Sequence, residues 1–220
     1  MIFSTINEEI EKIYHILLEF FGHQGWWPAE TSYEVVVGAI LTQNTSWRNV
    51  KKAIKNLKDN NLLDLKKIAE TDIDFLAELI KPSGFYRQKA IRLKNISLVI
   101  LKDFGNIENM RNMDTEKVME YLLSLNGIGS ETAESILLYA LDKPVFVVDS
   151  YTIRIFGRMG LPEKREDIKK NVMNIFKDVN DLKEFHALLV ELGKNYCKKI
   201  PLCNECPLNE YCKYYRGENE

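Results

Sequence analysis

Apolar residues recur along this chain with a helical period of about 3.6 almost throughout, and nowhere with the alternation expected of a half-buried strand. Ile6, Ile10, Ile13, Leu17 and Phe21 mark one amphipathic helix. Thr31-Ser32-Tyr33-Glu34 reads as a capping box ahead of a second, apolar at Val36, Val37, Ile40 and Leu41. Further helical patterns cover 47–57, 74–80, 88–104, 115–124, 131–141, 165–176 and 181–196, with ends placed to within about 2–4 residues. Val145-Phe146-Val147-Val148 is β-branched and apolar, but it follows Pro144 and has no partner strand, so it reads as a buried extended connector. The pattern predicts an all-α protein without internal repeats.

Between the patterns at 115–124 and 131–141 lies Leu125-Asn126-Gly127-Ile128-Gly129-Ser130. Two glycines around one apolar residue form a turn that can take positive φ and lets bare N–H groups approach an anion. The second helix begins at the turn, so the positive end of its dipole faces the same anion. This is a helix-hairpin-helix, a clamp for a DNA phosphate, with Asn126, Gly127, Ile128, Gly129 and Ser130 as its contact residues. A single carboxylate, Asp149, follows after a short gap. Taken alone, Asp149 suits the N-cap of a helix beginning at Tyr151-Thr152-Ile153.

Composition adds bounds. A chain of 220 residues that is 45% hydrophobic can bury one large core or two small ones. No apolar run approaches the roughly 18 residues of a membrane span, and residues 1–11 lack a basic region followed by a cleavage site. A soluble, cytoplasmic protein without a membrane partner is expected. The formal net charge of −2 means that any basic DNA-binding surface is local. One basic group comprises Lys81, Arg87, Lys89, Arg92 and Lys94, another Lys194, Lys198, Lys199, Lys213 and Arg216, and both also fit solvated helix faces. Residues 217–220 form an acidic tail.

The four cysteines, Cys197, Cys203, Cys206 and Cys212, are spaced C-x5-C-x2-C-x5-C, with Pro201 and Pro207 bending the loops between them. Disulfides would need an oxidising compartment, for which no secretion signal is present. Zinc sites usually pair two C-x2-C knuckles across a longer loop, and only one occurs here. A [4Fe–4S] cluster held by all four thiolates fits this compact spacing better, in a structural role, since no iron would be left open to substrate.

The hairpin, the aspartate and the terminal cysteines, in this order and at these separations, resemble the endonuclease III superfamily of helix-hairpin-helix DNA glycosylases over nearly the whole chain. The resemblance implies a six-helix barrel lobe over 28–135 and a cluster-bearing lobe from 1–27 and 136–216, clasping double-stranded DNA as a monomer with the damaged base flipped into the cleft between them. It places Gln43 of Leu41-Thr42-Gln43-Asn44-Thr45 and Phe85 of Gly84-Phe85-Tyr86-Arg87 at positions that fill the gap left by the extruded nucleotide, with Tyr86 beside them. Such wedges recover part of the few kcal/mol that flipping costs. It also makes Asp149 the catalytic group that stabilises charge at the deoxyribose C1′ and positions water.

Glu131 departs from the bifunctional members, which carry at this position a lysine whose amine attacks C1′. A carboxylate cannot form that Schiff base, so a monofunctional glycosylase with little or no lyase activity is expected. Lys143 is the nearest substitute in sequence, and nothing in its spacing favours it. Trp26-Trp27-Pro28, Leu41-Thr42-Gln43-Asn44-Thr45 and Pro82-Ser83-Gly84-Phe85-Tyr86 occur in the order seen in the bacterial 3-methyladenine DNA glycosylase branch. The resemblance therefore implies a base pocket of Trp26, Trp27, Pro28, Trp47 and Glu131 for an alkylated purine. Removal of mismatched uracil or thymine or of oxidised pyrimidines, and a silent binder of distorted DNA or redox sensor, are the competing readings.

Overall fold

The computed structural model describes residues 5–218, so of the acidic tail only Gly217 and Glu218 are covered and residues 219 and 220 lie outside the described residues. Twelve α-helices are present among them: α1 Ile6–Phe21, α2 Ser32–Leu41, α3 Trp47–Asp59, α4 Leu65–Glu70, α5 Ile73–Leu79, α6 Tyr86–Phe104, α7 Thr115–Ser124, α8 Ser130–Ser135, α9 Ser150–Met159, α10 Arg165–Ile175, α11 Val179–Asn195 and α12 Lys213–Arg216. No strand occurs among the described residues, and 145–148 is an extended connector whose Phe146, Val147 and Val148 are buried. The short α4, capped by the Asp64 side chain, escaped the periodicity. Six residues are too few to show it.

The chain forms two compact units, residues 27–143 and residues 1–26 with 144–220. The second boundary lies at 143/144, not at the expected 135/136. The helix expected over 131–141 is continuous: from α8 the backbone runs on through a π-turn over Ile136–Ala140, wholly buried and packed on α2, which keeps it in the unit of α2.

In the unit 27–143, α2 is buried on every side from Tyr33 to Leu41, which makes it the central helix. It packs against α3, α6 and the π-turn, while α6 also carries α4 and α5. Thr31 caps α2 by accepting from the Glu34 N–H at 3.1 Å, but the reciprocal half of the expected capping box is missing. The Glu34 carboxylate instead accepts from the Glu30 N–H and pairs with Lys58, both at 3.0 Å. A complete box is found at α1, between Thr5 and Glu8. In the other unit, α1 buries Ile10, Ile13, Tyr14 and Leu17 against α10 and α11, leaving Ile6 exposed in the first turn. Tyr14, Phe176, Phe185 and Phe146 form its aromatic core.

Candidate active site

In the unit 27–143 the hairpin joins α7 to α8, and its two glycines differ. Gly127 has φ +89°, and a Cβ there would stand 2.5 Å from Arg92 Cδ. Gly129 is the N-cap of α8 with extended backbone, φ −95° and ψ 175°, and a Cβ on it would meet nothing within 4 Å. Only the first therefore requires glycine for the fold. Asn126, Gly129 and Ser130 are exposed, whereas Ile128 departs from the expected contact set: its side chain is buried and its N–H donates to the Leu125 carbonyl at 3.1 Å. It plugs the hairpin into the core.

Gln43 is bound to this hairpin. Its Nε2 donates to the Gly127 carbonyl and to Thr132 Oγ1, each at 3.0 Å, and Arg92 Nη1 donates to its Oε1 at 2.9 Å. The amide is thus spent inside the unit. Phe85 is 64% exposed and, with Gly84 at φ +68° and its own φ at +47°, belongs to two successive left-handed residues ahead of α6. For an aromatic residue that backbone costs on the order of 1–3 kcal/mol. Tyr86 is half-buried at the start of α6.

Of the expected aromatic set, the structure brings Trp27 and Trp47 together, ring centroids 5.2 Å apart and edge to face, and adds Tyr139 at 5.4 Å from Trp27. The Trp27 indole lies against Gly38 of α2, where a Cβ would be 3.0 Å from the ring. Pro28 is exposed. Trp26 belongs to the other unit, where Lys194 Nζ stands 4.9 Å from its ring centroid. Tyr139 carried no sequence signal beyond its place on an apolar helix face.

Asp149 is the N-cap of α9 and is buried, at 8% exposure. Its Oδ1 accepts from the Thr152 N–H at 2.8 Å and from Thr152 Oγ1 at 2.9 Å, while Oδ2 lies 3.7 Å from His186 Nε2. Burial alone would raise the carboxyl pKa. The interaction with His186 and the two Thr152 donors outweigh it and hold the group below the ordinary carboxylate value, so it is ionised at neutral pH. Arg165 donates to the carbonyl of Val148 and fixes the connector just ahead of it. His186 lies on the buried face of α11 with its ring edge against Phe146. A lone histidine on an apolar face gives no sign of what it faces.

Glu131 is exposed in the first turn of α8. Lys143 cannot replace it, because its ammonium is buried and donates to the carbonyls of Arg111 at 3.0 Å and Met113 at 2.5 Å. Most of the first basic group is likewise committed: Lys81 pairs with Glu78, Lys89 is buried, and Lys94 donates to the Thr71 carbonyl.

Cys197, Cys203, Cys206 and Cys212 line one small cavity with Arg158, Tyr196, Tyr214 and Tyr215. Arg158 Nη1 donates to Cys197 Sγ at 3.3 Å, and Cys212 Sγ donates to the Arg158 carbonyl at 3.4 Å. Burial pushes the Cys206 thiol up to about 11, reinforced by the other three sulfurs. Among the described residues, no three His, Cys, Asp or Glu side chains stand at the spacing of a single bound ion. Four thiols that line one cavity could hold a soft metal or an iron–sulfur cluster.

The profile described as "HhH-GPD superfamily base excision DNA repair protein" matches residues 37–180. The chain is 54% identical over 211 residues to "Putative DNA repair glycosylase MJ1434" of Methanocaldococcus jannaschii, covering 93% of this chain and 96% of that protein. It is 33% identical over 192 residues to endonuclease III of Thermotoga maritima, with 84% of each chain covered. Among solved structures, 3-methyladenine DNA glycosylase (MagIII) of H. pylori, bound to 1,N6-ethenoadenine, superposes with a TM-score of 0.73 at 33% identity, covering 87% of this chain and 98% of that one.

Proposed function

The chain belongs to the HhH-GPD superfamily of base excision DNA repair proteins and is a DNA glycosylase; from that premise we propose that it is a monofunctional enzyme that hydrolyses alkylated purines, chiefly 3-methyladenine, from double-stranded DNA as a monomer. The observation that carries the reading is the ionised, buried Asp149 with only one of its oxygens taken by Thr152. Oδ1 is saturated as a helix cap, and Oδ2 is the oxygen that stabilises positive charge at C1′ and orients the attacking water. Both roles considered for this residue are therefore compatible, one on each oxygen.

With a carboxylate at Glu131 and the Lys143 amine tied to two carbonyls, water is the nucleophile and the strand stays intact. Trp27, Trp47 and Tyr139 supply ring faces and edges for a flipped base. A 3-alkylated adenine is cationic, gains about 0.5–2 kcal/mol from such stacking, and leaves without strong acid assistance. The 33% identical 3-methyladenine glycosylase supports the same substrate class. Cys197, Cys203, Cys206 and Cys212 would hold a [4Fe–4S] cluster, which when bound cross-links the loops around it.

The test is a panel of methylated DNA carrying 3-methyladenine and duplexes carrying 1,N6-ethenoadenine, uracil or an oxidised pyrimidine, run with wild type and Asp149→Asn. We expect release of 3-methyladenine, reduced at least about a hundredfold in the variant. Release of pyrimidines alone would transfer the enzyme to the endonuclease III reading, and release of no base would leave a binder of distorted DNA.

A further inference from the structure

Lys89 is a lysine with 1% exposure in the third position beyond Tyr86, and the mechanism above makes no use of it. Its Nζ donates to the Leu41 carbonyl at 2.8 Å and to the Ser83 carbonyl at 2.7 Å, and its backbone N–H takes the Phe85 carbonyl at 3.0 Å. Burying an ammonium is costly, and the sequence could have filled the space with methionine. Burial, together with the charge of Arg92, draws its pKa down to about 8.

The two carbonyls it holds are not arbitrary. Leu41 ends α2 and leads directly into Thr42-Gln43-Asn44, where Asn44 takes φ +55°. Ser83 leads directly into Gly84 and Phe85, both left-handed. Each loop thus has a backbone that relaxes unless something over-determines it. The Gln43 loop is anchored to the hairpin through the Gly127 carbonyl, whereas the Phe85 turn is held locally, by the Gly84 N–H on the Lys81 carbonyl and by Ser83 Oγ on the Ile80 and Gly84 carbonyls. Lys89 joins the two: the path runs from Gly127 to Gln43, along the chain to Leu41, across the Lys89 ammonium to Ser83 and so to Phe85.

We propose that Lys89 is a positioning residue for base extrusion, holding the exposed Phe85 wedge in register with the Gln43 loop and the DNA-gripping hairpin so that phosphate contact and insertion occur at a fixed spacing. This rests on the reading of the protein as a base-flipping glycosylase. A lysine that only fills the core would give Lys89→Met an effect on stability unrelated to the wedge; a positioning lysine couples to Phe85.

The experiment uses the full chain and a duplex with 2-aminopurine beside a tetrahydrofuran abasic analogue, whose fluorescence changes when a side chain enters the stack, alongside excision of 3-methyladenine. Wild type, Lys89→Met, Phe85→Ala and the double variant are compared. We expect each single variant to lose at least half of the fluorescence change and about tenfold in the excision rate at saturating DNA, with binding to undamaged duplex held within twofold. The double variant should be no worse than Phe85→Ala within twofold. If Lys89→Met does not fold, Lys89→Gln, which still donates to one carbonyl, is judged by the same criteria. Multiplying losses in the double variant, or a wild-type signal in the lysine variant, would overturn the proposal while leaving the wedge intact. A wild-type signal in Phe85→Ala would overturn the wedge itself and the proposal with it.

Discussion

Arg92 donates to Gln43 Oε1 at 2.9 Å, and this bond decides which way the Gln43 amide faces. With the oxygen turned to the guanidinium, Nε2 is turned to the Gly127 carbonyl and Thr132 Oγ1. Gln43→Glu keeps the first bond and sets an acceptor against the Gly127 carbonyl, which has no proton to give, while the Thr132 hydroxyl can turn to donate. We expect a loss of about 1–3 kcal/mol, read in a calorimeter as a fall of several degrees in Tm. Gln43→Met, which repels nothing, should lose less. Equal Tm values for the two variants would contradict this orientation of the amide.

The two hairpin glycines should fail differently. Gly127→Ala forces a Cβ to 2.5 Å from Arg92 at φ +89° and should destabilise the protein by more than 1 kcal/mol. Gly129→Ala meets open space at extended backbone, so its stability cost stays near or below about 1 kcal/mol, the usual cost of alanine at an N-cap. Its added methyl would instead lie where a phosphate approaches, and undamaged duplex binding should weaken. Denaturant titration and fluorescence anisotropy separate the two effects, and unchanged DNA affinity in Gly129→Ala would place the phosphate elsewhere.

Glu131→Lys restores an amine in the first turn of α8 and should yield a borohydride-trapped adduct with an abasic duplex that wild type does not form. Lys143→Met should leave trapping unchanged while destabilising the fold, since two carbonyls lose their donor. A strong adduct with the wild-type chain would show another amine at work.

Asp149 makes a signed prediction for acid stability. Its folded pKa lies below its ordinary value of 3.8, so it contributes stability that is fully present above that pH and is lost as pH falls through the folded value. The difference in unfolding free energy between wild type and Asp149→Asn should be constant from pH 7 to about 5 and shrink below about 4. Asparagine keeps the Thr152 cap, so both proteins remain comparable. A difference that already collapses near pH 6 would mean that burial outweighs the His186 and Thr152 contacts and raises the carboxyl.

The cysteine cavity predicts a coloured protein with about four irons and four sulfides per chain when prepared without oxygen. Cys206→Ser should lose both colour and iron. A colourless preparation containing zinc would replace the cluster by a single ion.

Much of this was legible in the sequence because it depends on local chemistry. The hairpin needs only its glycines and two flanking helices, Asp149 announces itself as an N-cap, and the turn character of Gly84-Phe85 correctly implies exposure. Lys89 was not legible. Its charge groups it with Lys81, Arg87, Arg92 and Lys94 as a solvated face, and its burial depends on a carbonyl 48 positions away. Tyr139 and His186 were hidden for the same reason: what matters about each is a partner from a distant segment. The 135/136 boundary comes from the resemblance and not from the apolar pattern, which already runs unbroken over 131–141 and through the buried π-turn.

The unit made from both ends of the sequence has a consequence for the order in which the polypeptide is made. Residues 27–143 are all synthesised while α10 and α11 are still untranslated, and α1, made before them, waits with Ile10, Ile13, Tyr14 and Leu17 bare. Those exposed side chains are a window for misassembly or chaperone capture during synthesis. The four thiols follow Arg158 and Tyr196 along the chain, so both of these cavity residues are already made when the first sulfur becomes available for metal.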